Sequence, residues 1–225
     1  MKENFIHVCF IIDSSGSMYG SEADVIGGFK RVIDEQKANK NGSCVVSVID
    51  FNNYPEVIYI GKDVNDINDD LNYAVGGGTA LLDAIYTGIE KTHEWNMAQN
   101  GPDRPEKTMV VIMTDGGENF SHTYSRQIVK DKIAEMETEF GWSFVYLGAD
   151  LTNVNDASSI GIKFRGVSTK SAMMSNYDMV NTAVSAFRDT VGDSQVRYAV
   201  MNMAMGNAVE TLNAKYETST GIKID

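Results

Sequence analysis

The sequence predicts an α/β fold: an open, mostly parallel, six-stranded sheet with one antiparallel edge strand and helices on both faces. Three observations predict it. Short, nearly continuous apolar runs recur along the chain, the mark of strands buried on both faces. Segments with apolar residues at helical spacing alternate with those runs, as in a sheet covered by helices on both sides. One pair of runs is joined by a turn alone, too short for a parallel crossover and therefore a hairpin.

The elements follow in order. Residues 5–12, Phe-Ile-His-Val-Cys-Phe-Ile-Ile, are the first apolar run. A Ser/Gly loop at 13–20 leads to a helix over 22–38, where Val25, Ile26, Phe29, Val32 and Ile33 keep a helical spacing. Asn41-Gly42 breaks the chain before the strand at 44–49. The turn Asn52-Asn53-Tyr54-Pro55 sends 57–60 back antiparallel. The acidic segment 62–72, with Asp63, Asp66, Asp69 and Asp70, reads as a solvated face. Gly76-Gly77-Gly78-Thr79 then opens a helix over 80–98 that carries Leu81, Leu82, Ile85, Ile89 and Trp95.

Pro102 and Pro105 mark a loop before the strand at 108–114. A helix over 124–139 carries Ile128, Ile133 and Met136, and the strand at 142–147 follows. A short helix near 152–160 and a strand near 162–165 come next. In 171–190, Met174, Tyr177, Val180, Val184 and Phe187 form one apolar stripe. This is a Rossmann-like order of elements. Residues 1–191 are expected to form one domain and 192–225 a tail. The tail is weakly helical over 196–214: Val196, Val200 and Met203 keep a helical spacing, Gly206 interrupts it, and Val209 and Leu212 resume it.

Composition narrows the function. The chain has 225 residues, 43% hydrophobic and 22% charged, a globular rather than disordered balance. Lys plus Arg is 19 and Asp plus Glu is 31, for a net charge of −12. That balance argues against nucleic acid and against anionic membrane surfaces as partners. No apolar run reaches transmembrane length and no signal-peptide pattern is visible, so the expected compartment is the cytoplasm. Cys9 and Cys44 are expected to be buried free thiols in adjacent strands.

Three short motifs carry the chemistry. Asp13-Ser14-Ser15-Gly16-Ser17 follows the first strand, Gly77-Gly78-Thr79 opens the helix near residue 80, and Thr114-Asp115-Gly116 ends the strand at 108–114. In a doubly wound sheet the ligand crevice lies at the C-terminal strand ends, where the strand order reverses. Asp13 and Asp115 are expected to face each other there, with hydroxyls from Ser15, Ser17 and Thr79. An all-oxygen site of this kind suits a hard cation such as Mg²⁺, and Mn²⁺ is compatible with it. Neutral hydroxyls offset little of the ion's charge, so it stays electrophilic toward an acidic group of a partner.

In this order the three motifs resemble the metal-ion-dependent adhesion site (MIDAS) of von Willebrand factor type A domains. All five positions of that motif are matched, and the flanks 78–85 and 113–119 look like the family's usual ones. The resemblance spans roughly residues 5–190. It implies that Ser15, Ser17 and Thr79 ligate the metal directly, with Asp13 and Asp115 acting directly or through water. It also implies a protein partner presenting an Asp or Glu, and an open/closed switch in which the helix at 171–190 moves. Small standalone members occur in bacteria and their phages, which implies a role in assembly or regulation in a bacterial or phage-infected cell.

Other residues were weighed beside these. Ser14, Gly78, Gly116, Glu118 and His122 are expected to line the ligand rim, with capping of the next helix or holding of the turn as the alternative for Glu118 and Asn119. His7 reads as a packed or edge residue and His93 as solvated. The run 76–78 is not a P-loop, because no Gly-Lys-Ser/Thr follows. An enzyme is not expected, since a metal-assisted hydrolase would have only His122 or Glu118 as a base. A second alternative is a structural or assembly subunit that forms homo-oligomers through 192–225.

Overall fold

The computed structural model describes residues 2–68, 71–148, 156–167 and 173–190, and in the tail 203, 206, 207, 210, 211 and 213–223. Six strands form one sheet: β1 (Lys2–Asp13), β2 (Ser43–Phe51), β3 (Pro55–Asp63), β4 (Pro105–Thr114), β5 (Ser143–Gly148) and β6 (Phe164–Val167). Their order is β3-β2-β1-β4-β5-β6, with only β2 and β3 antiparallel. This is the expected architecture, with the antiparallel strand at one edge.

Four helices cover the sheet: α1 (Glu22–Ala38), α2 (Leu81–Ala98), α3 (Arg126–Phe140) and α4 (Met173–Asp189). The period of two along β1 sorts its side chains to opposite faces. Ile6, Val8, Phe10 and Ile12 pack with Phe29 and Val32 of α1 and with Tyr177, Val180 and Val184 of α4. Cys9 and Ile11 pack on the other side with Leu81, Ile85 and Ile89 of α2 and Val129 and Ile133 of α3. α4 seats closely on α1 at Gly28, where a Cβ would lie 2.0 Å from the Tyr177 ring. The two cysteines are free and buried in neighbouring strands, on opposite faces of the sheet.

Several local expectations are corrected. Pro105 begins β4 rather than sitting in a loop. The last strand lies at Phe164–Val167, two residues beyond its expected place, and within 152–160 the described helical residues are 156–159. Residues 151–155 lie outside the described residues, as do Asp69, Asp70 and the side chain of Met174. The acidic segment is more than a solvated face: Val64, Ile67 and Leu71 are buried in the core beside α1. Its periodicity was too short to show this against four aspartates.

His7 is completely buried in a central strand. Its Nδ1 lies 2.7 Å from Asn96 Oδ1 and its Nε2 lies 2.6 Å from Ser47 Oγ. Asn96 Nδ2 donates to Thr108 Oγ1 at 3.0 Å, and Ser47 Oγ accepts from the Gly61 amide at 3.0 Å. The chain of bonds therefore assigns a neutral imidazole with the proton on Nδ1. Burial pushes its pKa down to about 4, against the raising effect of Asn96. His93 is half-buried rather than solvated, with Phe140 edge-on at 4.6 Å.

The far end of α4 is held by buried cations. Lys107 Nζ donates to the carbonyls of Phe187, Arg188 and Thr190 at 2.7–2.9 Å. Arg188 donates to the carbonyls of Gln36, Asn41 and Gly42 at 2.6–3.1 Å. Cations at helix C-termini satisfy orphan carbonyls and oppose the dipole.

In the tail, Gly206 is helical rather than an interruption, and residues 213–220 are helical too. Tyr216 there is 7% exposed, so its side chain is covered within a single chain. Val196, Val200, Val209 and Leu212 lie outside the described residues. No helix among the described residues is long and apolar enough to cross a membrane.

Candidate metal centre

From β1 the chain runs out to β2 and β3 and then returns to β4 on the other side of β1. The C-terminal ends of β1 and β4 therefore lie side by side at the point where the strand order reverses. The loop after β1, the turn between β2 and β3 and the segment before α2 are tied by backbone bonds. Gly16 N–H donates to Gly77 O at 3.0 Å, Gly76 N–H to Ser14 O at 2.8 Å, and Ala80 N–H to Asn52 O at 2.8 Å. Gly77 adopts φ +81°, which a residue with a Cβ rarely tolerates, and Asn53 Oδ1 lies 2.8 Å from where that Cβ would stand.

Asp13 is the last residue of β1 and is fully buried. Its Oδ1 accepts from the Ser15 amide at 2.7 Å, and its Oδ2 accepts from the Thr114 hydroxyl. Burial pushes its carboxyl up to about 6; the bonds from Thr114 and Ser15 oppose that rise and the Asp115 charge adds to it. Ser15 is buried and Ser17 exposed, with their hydroxyls 3.0 Å apart. Thr79 is buried just before α2. Asn119 Oδ1 accepts its amide at 2.9 Å, and its carbonyl accepts from the amides of Asn119 and Phe120. Asp115 is half-buried, directly after β4.

Gly116 marks where the donors converge. A Cβ on it would lie 2.9 Å from Ser17 Oγ, 3.1 Å from Thr79 Oγ1 and 3.6 Å from Asp13 Oδ2. Oxygens from two other loops and the end of β1 thus surround a point that glycine leaves open. Among the described residues no three His, Cys, Asp or Glu side chains group as a metal cluster. The candidate donors of the sequence are instead two carboxylates and three hydroxyls. Such a set fits a hard cation that keeps part of its water, not a closed nitrogen and sulfur site.

The expected rim residues divide. His122 is exposed, with its ring 4.8 Å from Phe120, and Gly78 lies beneath the Phe120 ring. Gly116 lies among the donors themselves. Ser14 turns inward, its hydroxyl donating to Asp50 Oδ2 at 2.9 Å and Phe51 O at 3.1 Å. Glu118 is also spent internally: its two oxygens accept from the amides of Leu82, Phe120 and Ser121 and from the Ser121 hydroxyl, all within 2.9 Å. It caps α2, the preceding helix, rather than the next one.

Two supporting residues, Asp83 and Asp50, were not singled out by the sequence, and a third, Asn119, holds the turn as its alternative reading expected. Asp83 in the first turn of α2 accepts the amides of His122, Thr123 and Tyr124 at 2.8–3.2 Å, which fastens the loop after β4 to α2. Asn119 holds Thr79 as described. Asp50 follows the apolar run 44–49, the same signal that found Asp13 and Asp115, and is next to last in β2, opposite Ile12. Burial pushes its carboxyl up to about 6, with the Ser14 bond opposing.

The family model for the von Willebrand factor type A domain matches residues 7–183. A search of curated proteins found no match. Solved structures share the fold at low identity. Proximal thread matrix protein 1 from the mussel byssus is 17% identical with TM-score 0.56, over 91% of this chain and 48% of that one. A second structure of that protein, with a zinc-occupied MIDAS motif, is 14% identical with TM-score 0.52, over 80% and 47%. A von Willebrand factor type A protein from Catenulispora acidiphila is 14% identical with TM-score 0.56, over 82% and 43%. The corresponding domain of the type V pili tip protein from Porphyromonas gingivalis is 11% identical with TM-score 0.59, over 84% and 97%. The chain thus spans less than half the length of the mussel and Catenulispora proteins. With the family model covering most of the sheet and its helices, this chain belongs to the von Willebrand factor type A domain family.

Proposed function

We propose that this chain is a divalent-cation-dependent protein-binding module, with Asp13, Ser15, Ser17, Thr79 and Asp115 holding Mg²⁺. The observation that carries the reading is the convergence of the Ser17, Thr79 and Asp13 oxygens around Gly116. When bound, the cation would supply a Lewis-acidic seat for a carboxylate from a partner's Asp or Glu. Asp13 would bring negative charge from the buried end of β1, and Asp115 from the end of β4. Thr114 and the Ser15 amide fix the Asp13 carboxylate, and Asn119 fixes Thr79, so the donors are oriented before binding. Domains of this family mediate protein interactions, which supports binding over catalysis. The zinc in the mussel protein supports a divalent site, while the all-oxygen set here favours Mg²⁺ or Mn²⁺.

The proposed setting is the cytoplasm of a bacterial or phage-infected cell, in the assembly or regulation of a complex. Two free thiols on opposite faces of the sheet suit a reducing compartment. Calorimetric titration of Mn²⁺ and Mg²⁺ into metal-free protein tests the reading. Saturable binding to one site, lost in Asp13→Asn and Asp115→Asn, is expected. Wild-type protein that binds neither ion refutes it.

A further inference from the structure

The loops around the donor cluster share a property the metal does not require. They comprise residues 14–21, 52–55, 74–80 and 116–125, and in all of them Glu118 is the one side chain with a formal charge at pH 7, His122 counted as neutral. Its carboxylate is consumed within the fold. Asp156, which approaches Gly117, is paired with Arg126 at 2.7 Å. In a chain of net charge −12, these described loops are thus almost free of formal charge. Aromatic rings stand there instead. Tyr19, two residues past Ser17, is 79% exposed, and Tyr54, next to the Asn53 that binds the Gly78 amide, is 69% exposed. Phe120 covers Gly78, and His122 lies against Phe120. The remaining loop residues are largely Ser, Gly and Asn.

Tyrosine anchors among Ser, Gly and Asn are the make-up of recognition loops: the rings give rigid contact area at little entropic cost and the small polar residues adapt their hydrogen bonds. We propose that this collar selects a partner segment in which a single Asp or Glu is flanked by uncharged apolar or aromatic residues. The inference rests on the cation reading above and adds the chemistry of the partner's flanks. A basic flank would find no free carboxylate in the collar. An acidic flank would find no cation beyond the one its neighbour already occupies, and would meet the field of an acidic protein. An apolar flank would cover exposed rings without leaving a charge desolvated.

Fluorescein-labelled peptides with a central Glu test this by anisotropy. Their flanks would be Leu and Tyr, Ser, Asp or Lys, with a central Gln peptide as the control. Binding is measured in Mn²⁺ and in EDTA, to wild type and to Tyr19→Ser/Tyr54→Ser, while Mn²⁺ affinity of both proteins is measured separately by calorimetry. The Leu/Tyr-flanked Glu peptide should bind best, only in Mn²⁺. The double variant should weaken it by about tenfold or more, as loss of aromatic anchors does, with Mn²⁺ affinity unchanged. Normal Mn²⁺ binding together with equal affinity for all flanks, preference for Lys or Asp flanks, or no peptide binding overturns this inference and leaves the metal site standing. Absence of Mn²⁺ binding overturns both.

Discussion

Replacing Gly116 by alanine tests the metal centre with the smallest possible perturbation. The added methyl would stand 2.9 Å from Ser17 Oγ, 3.1 Å from Thr79 Oγ1 and 3.6 Å from Asp13 Oδ2, in the space between the donors. Gly116 is not among the glycines with positive φ, so alanine brings no backbone strain there. The metal-free fold should therefore lose at most about 1 kcal/mol. In wild type, free Mg²⁺ at about ten times Kd should stabilise the fold by about 1.4 kcal/mol. For a domain of this size that raises Tm by about 3–6 °C. Scanning calorimetry with and without Mg²⁺ measures both proteins. Gly116→Ala should keep its metal-free Tm and lose most of the rise. A variant that melts normally without metal yet shows the full wild-type rise would refute the placement of the ion.

Other expectations follow from the supporting residues. Asn119→Ala removes the acceptor of the Thr79 amide and should weaken Mn²⁺ binding by about tenfold, as loss of a group behind a metal ligand does; unchanged affinity by calorimetry would show that Thr79 needs no such brace. His7 has a folded pKa of about 4, below its ordinary 6.5, so the unfolded chain takes the proton first as pH falls. The stability it contributes is complete above pH 6.5 and declines toward pH 4, by about 3 kcal/mol. His7→Gln should remove that part of the slope in urea unfolding across this window, and parallel pH profiles would contradict the assignment. Lys107→Met leaves three carbonyls at the end of α4 without their donor and should cost about 2–4 kcal/mol in urea unfolding; a loss under about 0.5 kcal/mol would show that water replaces the ammonium.

The open/closed switch implied by resemblance would have to move α4 while six hydrogen bonds from Lys107 and Arg188 to backbone carbonyls hold its far end. Those bonds link residues that stand 80 or more positions apart in sequence. No periodicity announces them, because Lys107 and Arg188 meet these carbonyls only once the sheet brings β4, α4 and the end of α1 together. His7 is similar. Its position inside an apolar run left it as a packed or edge residue, and did not show that Asn96 and Ser47 would fix its proton.

The local sequence by itself determined the six strands, the main helices and the candidate donors. Strand periodicity and apolar content are properties of a few consecutive residues, and Asp13 and Asp115 announce themselves by ending buried runs in loops. Even Asp50 carried that signal. What the tertiary structure alone decided is which polar oxygens gather around Gly116 and which brace the loops. Glu118 and Ser14 lie within the motifs yet turn inward, because the amides of α2 and the carboxylate of Asp50 offer them bonds. Asn119 and Asp83 brace the loops for the same reason: buried backbone groups must find partners, and the nearest acceptors are set by the packing of distant segments.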